Sequence, residues 1–135
     1  MKAVAYSITN FEKELLAKAN QKKHDITLIA NALGNETITY ADGKDAVIVF
    51  NDSDISDEVI KKLAQLGVKC LITCSANANN NNHNILKQQN IAFTHIPVSN
   101  NGILADREYL QAIAFRIIEN LDNWQGVARH VVAPR

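Results

Sequence analysis

The sequence predicts an α/β fold of the doubly wound kind, a five-stranded parallel sheet with helices on both faces. Three observations carry that prediction. Short apolar runs alternate with amphipathic segments through most of the chain, the order expected of repeated strand–helix units. One segment, DAVIVF (45–50), is unbroken in apolar residues after Asp45 and β-branched at its centre, which suits a strand covered on both faces. At 135 residues and 47% hydrophobic, the chain has enough apolar surface for one domain with a normal core.

Each element has its own signal. KAVAY (2–6) is a short apolar strand, followed by Ser7, Thr9 and Asn10, residue types that cap helices. EKELLAKANQKK (12–23) places Leu15, Leu16 and Ala19 at helical spacing. DITLI (25–29) is the second strand, and a loop holding Gly34 and Gly43 leads to the third, DAVIVF. SDEVIKKLAQLG (56–67) reads as a helix with Ser56 as N-cap, acids in its first turn, Val59, Leu63 and Leu66 on one face, and Gly67 as terminator. VKCLITC (68–74) is the fourth strand and HNILKQQN (83–90) a short helix. IAFTHIP (91–97) is the fifth strand, closed by Pro97, which cannot continue a central ladder. ADREYLQAIAFRIIENLDNW (105–124) is the longest helix, with an apolar stripe of Leu110, Ile113, Ala114, Ile117, Leu121 and Trp124. The reading is therefore one domain over 1–124 and a C-terminal tail over 125–135.

For five strands the expected arrangement is the flavodoxin-like, three-layer order 2-1-3-4-5, with any ligand held beyond the carboxyl ends of the strands. Those ends are Ser7 to Asn10, Asn51 to Ser53, Ser75 to Asn80 and Val98 to Gly102. The stretch from Asn77 to Asn84, with six asparagines, thus falls on a β-to-α loop at the functional rim.

Composition excludes several partners. Fourteen basic residues balance fourteen acidic ones, so neither a nucleic-acid nor an anionic-membrane surface is expected. The uncharged stretch between Lys2 and Glu12 is broken by Ser7, Thr9 and Asn10, which argues against a signal peptide, and no apolar run approaches the ~18 residues of a membrane span. A cytoplasmic protein is the expectation. Cys70 and Cys74 are four apart in one strand and share a face, as buried free thiols would. His24, His83, His95 and His130 are scattered singly, so no metal site is expected.

Cofactor chemistry is also absent from the pattern. The five glycines, at 34, 43, 67, 102 and 126, allow neither G-x-G-x-x-G nor a P-loop. SITNFE (7–12) keeps two hydroxyls of a flavin phosphate loop but carries Asn10 and Glu12, and Glu12 repels phosphate, so a helix N-cap is the better reading. A phosphoacceptor site would require acids after the first strand and a lysine after the fifth, and residues 7–10 and 97–102 supply neither. No carboxylate stands at a recognisable spacing to make His95 a base, so it reads as hydrogen-bonded structure.

The stretches AYSITNFEKELL, DAVIVFNDSDISDEVIKKLAQLGVKCLITCSANANNNN and NIAFTHIPVSNNGILADREYLQAIAFRIIENL resemble, in order and spacing, the substrate-binding (catalytic) domain of the D-lactate dehydrogenases, within the D-2-hydroxyacid dehydrogenase family. The resemblance spans roughly residues 2 to 124 and implies a flavodoxin-like domain. It further implies that the loop after the fourth strand binds a substrate carboxylate through its backbone amides. Ser75, Ala76, Asn77 and Ala78 occupy that loop, and Ser99 stands in the loop after the fifth strand. Asn77 replaces a family glycine; asparagine is the residue that best tolerates positive φ after glycine, although its side chain hinders close approach. Val98 and Ser99 replace the region of a substrate-holding tyrosine, Asn100 and Asn101 a serine–proline, and Asp106 and Arg107 a glutamate–histidine pair.

In the family the nicotinamide site and the catalytic arginine, carboxylate and histidine come from a nucleotide-binding domain, and these 135 residues carry none of its motifs. The expectation is a stand-alone, non-catalytic relative of the substrate domain, with no catalytic, metal or cofactor-binding residues of its own, that binds a small carboxylate or serves as an interaction module. The alternative is a subunit of an NAD-dependent D-2-hydroxyacid dehydrogenase whose nucleotide domain another chain supplies. A homodimer is expected as well, because Phe115 and Ile118 give the last helix a second apolar face and Val131 and Val132 lie in the tail.

Overall fold

The computed structural model describes residues 1–50, 55–75, 83–97 and 107–132, with only the backbone described at 75, 83, 107–109 and 125–132. Five parallel strands, β1 (Lys2–Tyr6), β2 (Asp25–Leu28), β3 (Ala46–Val49), β4 (Cys70–Ser75) and β5 (Ala92–Pro97), form one sheet. Their order is β2-β1-β3-β4-β5, as the alternation of elements predicts. Strand β3 lies wholly inside, each of its four residues at 0% exposure, which is why its sequence shows no polar alternation.

Alternate residues of each strand feed two separate cores. On one face Ala3, Ala5, Ile48, Ile72, Cys74 and Ile96 pack beneath α1 (Asn10–Asn20) and α4 (Arg107–Val132). On the other Val4, Tyr6, Val47, Val49 and Leu71 pack against α2 (Asp57–Gln65) and α3 (His83–Gln88). This second face also carries the β2-to-β3 crossover, which has a short 3-10 helix (Ile38–Ala41) in place of a full α-helix. Cys70 and Cys74 sit in the first core as free thiols, 4% and 2% exposed.

The caps explain the helix boundaries. Thr9 closes a capping box on α1: its Oγ1 accepts from the Glu12 N–H at 3.2 Å, and Glu12 Oε1 accepts from the Thr9 N–H at 2.9 Å. The N-cap reading of SITNFE therefore holds, and the acid that repels a phosphate already occupies the helix end. Helix α1 stops at Asn20, three residues short of the 12–23 segment expected from spacing. Gln21 and Lys22 turn left-handed (φ 47° and 63°), and the Asn20 amide clasps the His24 backbone, donating to its carbonyl at 2.8 Å and accepting from its N–H at 3.0 Å. Ser56 caps α2 by accepting from the Val59 N–H at 3.2 Å, and Gly67 ends it at φ 96°.

Helix α4 runs on to Val132, through the stretch 125–132 that the sequence assigned to a tail. A single glycine, Gly126, costs a helix about 1 kcal/mol, too little to stop it without a second breaker. Ile118 is 3% exposed and belongs to the core, so it is not part of an outward apolar face as expected; Phe115, at 50%, is. No helix among the described residues is long and apolar enough to cross a membrane.

Candidate functional site

The carboxyl edge of the sheet is built from three local arrangements. At the end of β1, where the strand order reverses, Ser7 adopts the left-handed conformation (φ 61°) and its N–H donates to the Asn31 carbonyl at 2.9 Å. The Ile8 N–H donates to the Ile29 carbonyl at 3.3 Å, and the Tyr6 hydroxyl donates to the Thr37 carbonyl at 2.8 Å. The segment from Ile29 to Thr37 is thereby fastened across the end of β1. Burial, with the Tyr40 phenol adding to it, pushes the Tyr6 hydroxyl up to about 12, so it remains a neutral donor. A cavity of about 370 Å³ lies between this segment and the start of α2, lined by Asn31, Gly34, Asn35, Glu36, Thr37 and Ser56 among others.

The second arrangement is the end of β4 beside β5. These strands pair in register from Cys70–Ala92 to Ser75–Pro97, so the loops that follow them begin at neighbouring residues. Ser75 is the last residue of β4, one residue beyond the expected strand end at Cys74. Ala76, Asn77, Ala78 and Ser99 lie outside the described residues, as does most of the asparagine-rich stretch. The fold brings the roots of the two expected substrate loops together, and the loop residues themselves are not described.

Two residues before those roots lies a pair that spacing alone did not reveal. Thr73 and His95 are register partners, and Thr73 Oγ1 lies 2.9 Å from His95 Nδ1. Thr73 is 2% exposed. Nε2 of His95 is out of solvent and has no hydrogen-bond partner among the described residues. The expectation of a hydrogen-bonded His95 is met at one nitrogen and not at the other.

The third arrangement underlies β4 on the opposite face. Burial pushes the Cys74 thiol up to about 12; nearby Glu12 adds to the rise and Arg116 opposes it. Cys70 is raised to about 11 by burial alone. Neither is a nucleophile near neutral pH. No group of three His, Cys, Asp or Glu side chains among the described residues could hold a metal.

At the opposite, amino edge of the sheet, His24 is buried with its Nε2 2.7 Å from Asp122 Oδ1, beside Lys23 Nζ at 3.6 Å from Oδ2. A wide depression of about 600 Å³ opens there, lined by Met1, Lys2, Asn20, Lys23, His24 and Asp25 among others. It lies a full strand length from the roots of the substrate loops.

Comparison with known proteins identifies the frame that these groups occupy. The profile of "D-isomer specific 2-hydroxyacid dehydrogenase, catalytic domain" matches residues 3–133. A D-lactate dehydrogenase of Leuconostoc mesenteroides is 27% identical over 113 residues, 82% of this chain and 34% of that protein. A 2-hydroxyacid dehydrogenase homolog of Zymomonas mobilis is 29% identical over 98 residues, 72% of this chain and 30% of that protein. The apo-structure of D-lactate dehydrogenase from Escherichia coli superposes with a TM-score of 0.67 at 26% identity, over 74% of this chain and 32% of that one. The chain spans about a third of the length of the curated relatives it matches.

Proposed function

Because the chain belongs to the D-isomer specific 2-hydroxyacid dehydrogenase family, within its catalytic domain, we propose that it binds a small carboxylate of the 2-oxo or 2-hydroxy acid class without performing hydride transfer by itself. The observation that carries this reading is the in-register end of β4 and β5 at Ser75 and Pro97. It starts the loop of Ser75, Ala76, Asn77 and Ala78, to which the family resemblance assigns carboxylate binding, beside the loop that holds Ser99. Hydride transfer requires a bound nicotinamide and an acid/base group at the carbonyl. No glycine-rich dinucleotide turn occurs in these 135 residues, and the capping box of Glu12 fills the one helix start that follows β1.

The direct test is a titration of the 15N-labelled chain with pyruvate, lactate and longer 2-oxo acids to millimolar concentration. Shifts of the amides from Ser75 to Ala78 are the expected result, and their immobility turns the reading toward an interaction module. In parallel, the chain alone is expected to leave NADH fluorescence and pyruvate unchanged; saturable NADH binding at micromolar cofactor would defeat the non-catalytic reading.

A second reading is favoured by the relatives, which are described as dehydrogenases and of whose length the match covers about a third. In it the chain is the substrate-side subunit of an NAD-dependent D-2-hydroxyacid dehydrogenase, and NAD enters with a partner chain carrying the nucleotide domain. Co-expression with a glycine-rich nucleotide-domain protein from a neighbouring reading frame, followed by an assay of NADH-dependent pyruvate reduction, separates the two. Activity only in the mixture selects the subunit.

A further inference from the structure

We propose that His95, aligned by Thr73, donates its Nε2–H to the carboxylate of a small 2-oxo or 2-hydroxy acid at the carboxyl ends of β4 and β5, an inference that rests on the carboxylate-binding reading above. The geometry starts from the 2.9 Å contact between Thr73 Oγ1 and His95 Nδ1. A threonine hydroxyl can donate to that nitrogen or accept from it, so the contact permits two neutral tautomers. In both, Nε2 is out of solvent and without a partner among the described residues.

Buried polar atoms nearly always find partners, and the exceptions call for a role. An apolar side chain would fill the same position without stranding a nitrogen, as Phe93 does two residues earlier on the same face of β5. What singles out His95 is its place. It lies two residues, about 6.6 Å of strand, before the Ser75–Pro97 pair from which both loops depart. The other stranded imidazole nitrogen, Nδ1 of His24, belongs to a ring already bound to Asp122 at the far edge of the sheet.

A carboxylate accepts hydrogen bonds only, so it selects the tautomer with hydrogen on Nε2. Thr73 then donates to Nδ1, and a directed chain runs from the hydroxyl through the ring to the ligand. Nε2 is out of solvent, so contact requires the carboxylate to shed its own water and to displace what covers the nitrogen; once formed, the bond lies in low dielectric and is stronger than in water. His95 would thus touch the ligand, and Thr73 would act through it as a positioning residue.

The test uses the whole 15N-labelled chain titrated with sodium pyruvate, following the imidazole nitrogens of His95 and the amides from Ser75 to Ala78 in the same samples. The inference expects Nε2 to move in step with the amides along one binding curve, His95→Leu to weaken pyruvate about tenfold, and Thr73→Val to weaken it while changing the nitrogen shifts that report the tautomer. Moving amides with a stationary Nε2, or a folded His95→Leu with unchanged affinity, would overturn the role of His95 and leave the carboxylate reading standing. If neither moves, both fall. A moving Nε2 beside still amides would keep the His95 site and remove the loop. The decisive shift is read in the unsubstituted protein, so a variant that fails to fold does not leave the question open.

Discussion

His24 Nε2 lies 2.7 Å from Asp122 Oδ1, a contact between residues 98 positions apart that ties the turn after α1 to the outer helix α4. The His24 side chain is fully buried and that of Asp122 is 41% exposed, so the interaction joins a dry ring to a partly hydrated acid. With Nε2–H donating to the carboxylate, the bond gives the buried ring its one partner among the described residues.

Asp122→Ala should strand both ring nitrogens and cost about 1–3 kcal/mol, the penalty of a buried polar group without a partner. Asp122→Asn, which keeps an oxygen acceptor, should cost less. Urea denaturation of the three proteins checks the order, and an unchanged midpoint for Asp122→Ala would reduce the contact to a surface pairing.

Removal of the capping hydroxyl at the start of α1 gives a smaller effect. Thr9→Ala removes the two bonds that Thr9 Oγ1 makes with Glu12 and leaves the one donated by the Thr9 backbone N–H; it should lower stability by about 1 kcal/mol. Amide exchange in the first turn of α1 should accelerate, whereas exchange in β3 should follow only the global loss. Protection of that first turn equal to that of the native chain would show the cap to be dispensable.

The buried thiols predict a fall in stability on the alkaline side. Folding raises Cys70 from 9.0 to about 11 and Cys74 from 9.0 to about 12, so from about pH 9 upward the unfolded chain loses thiol protons that the folded chain keeps. Stability from this source is fully present below pH 9 and declines as pH rises toward 11–12, with a limiting slope of about 1.4 kcal/mol per pH unit for each thiol. Cys74→Ala should flatten the dependence of the urea midpoint between pH 8.5 and 10.5. Equal slopes for both proteins would place the Cys74 thiol in water.

Asn77→Gly should strengthen pyruvate binding, because the family resemblance places glycine at this position and glycine has no side chain to hinder close approach of a ligand to the backbone. Isothermal titration of both proteins measures this, and a weaker affinity in the glycine variant would show that the asparagine side chain contributes to the site.

A homodimer through the last helix, as expected from the sequence, would use Phe115 rather than Ile118, which is committed to the core. Sedimentation equilibrium at micromolar concentration should then return twice 14.9 kDa for the native chain and the single mass for Phe115→Ser. A native mass of 14.9 kDa at every concentration would remove the dimer.

The local signals of the sequence were enough to determine the architecture. The continuous apolar run of β3, the caps at Thr9 and Ser56, the terminator Gly67 and the paired burial of Cys70 and Cys74 each follow from one stretch of chain. Handedness and alternation then leave few ways to assemble five parallel strands. The end of α1 was misjudged because Asn20, Gln21 and Lys22 are compatible with a helix. What stops it is the clasp of Asn20 on His24, whose backbone the turn brings within reach.

Only the tertiary structure decided which polar side chains meet. Thr73 and His95 are 22 residues apart and become neighbours solely through the β4–β5 register, where a slip of one strand by one residue would leave them on opposite faces. His24 and Asp122 meet because α4 packs on the same sheet face as α1, which no periodicity within either segment encodes. A strand or helix is specified by interactions a few residues apart, but a polar pair between elements depends on register and packing that the whole core fixes together.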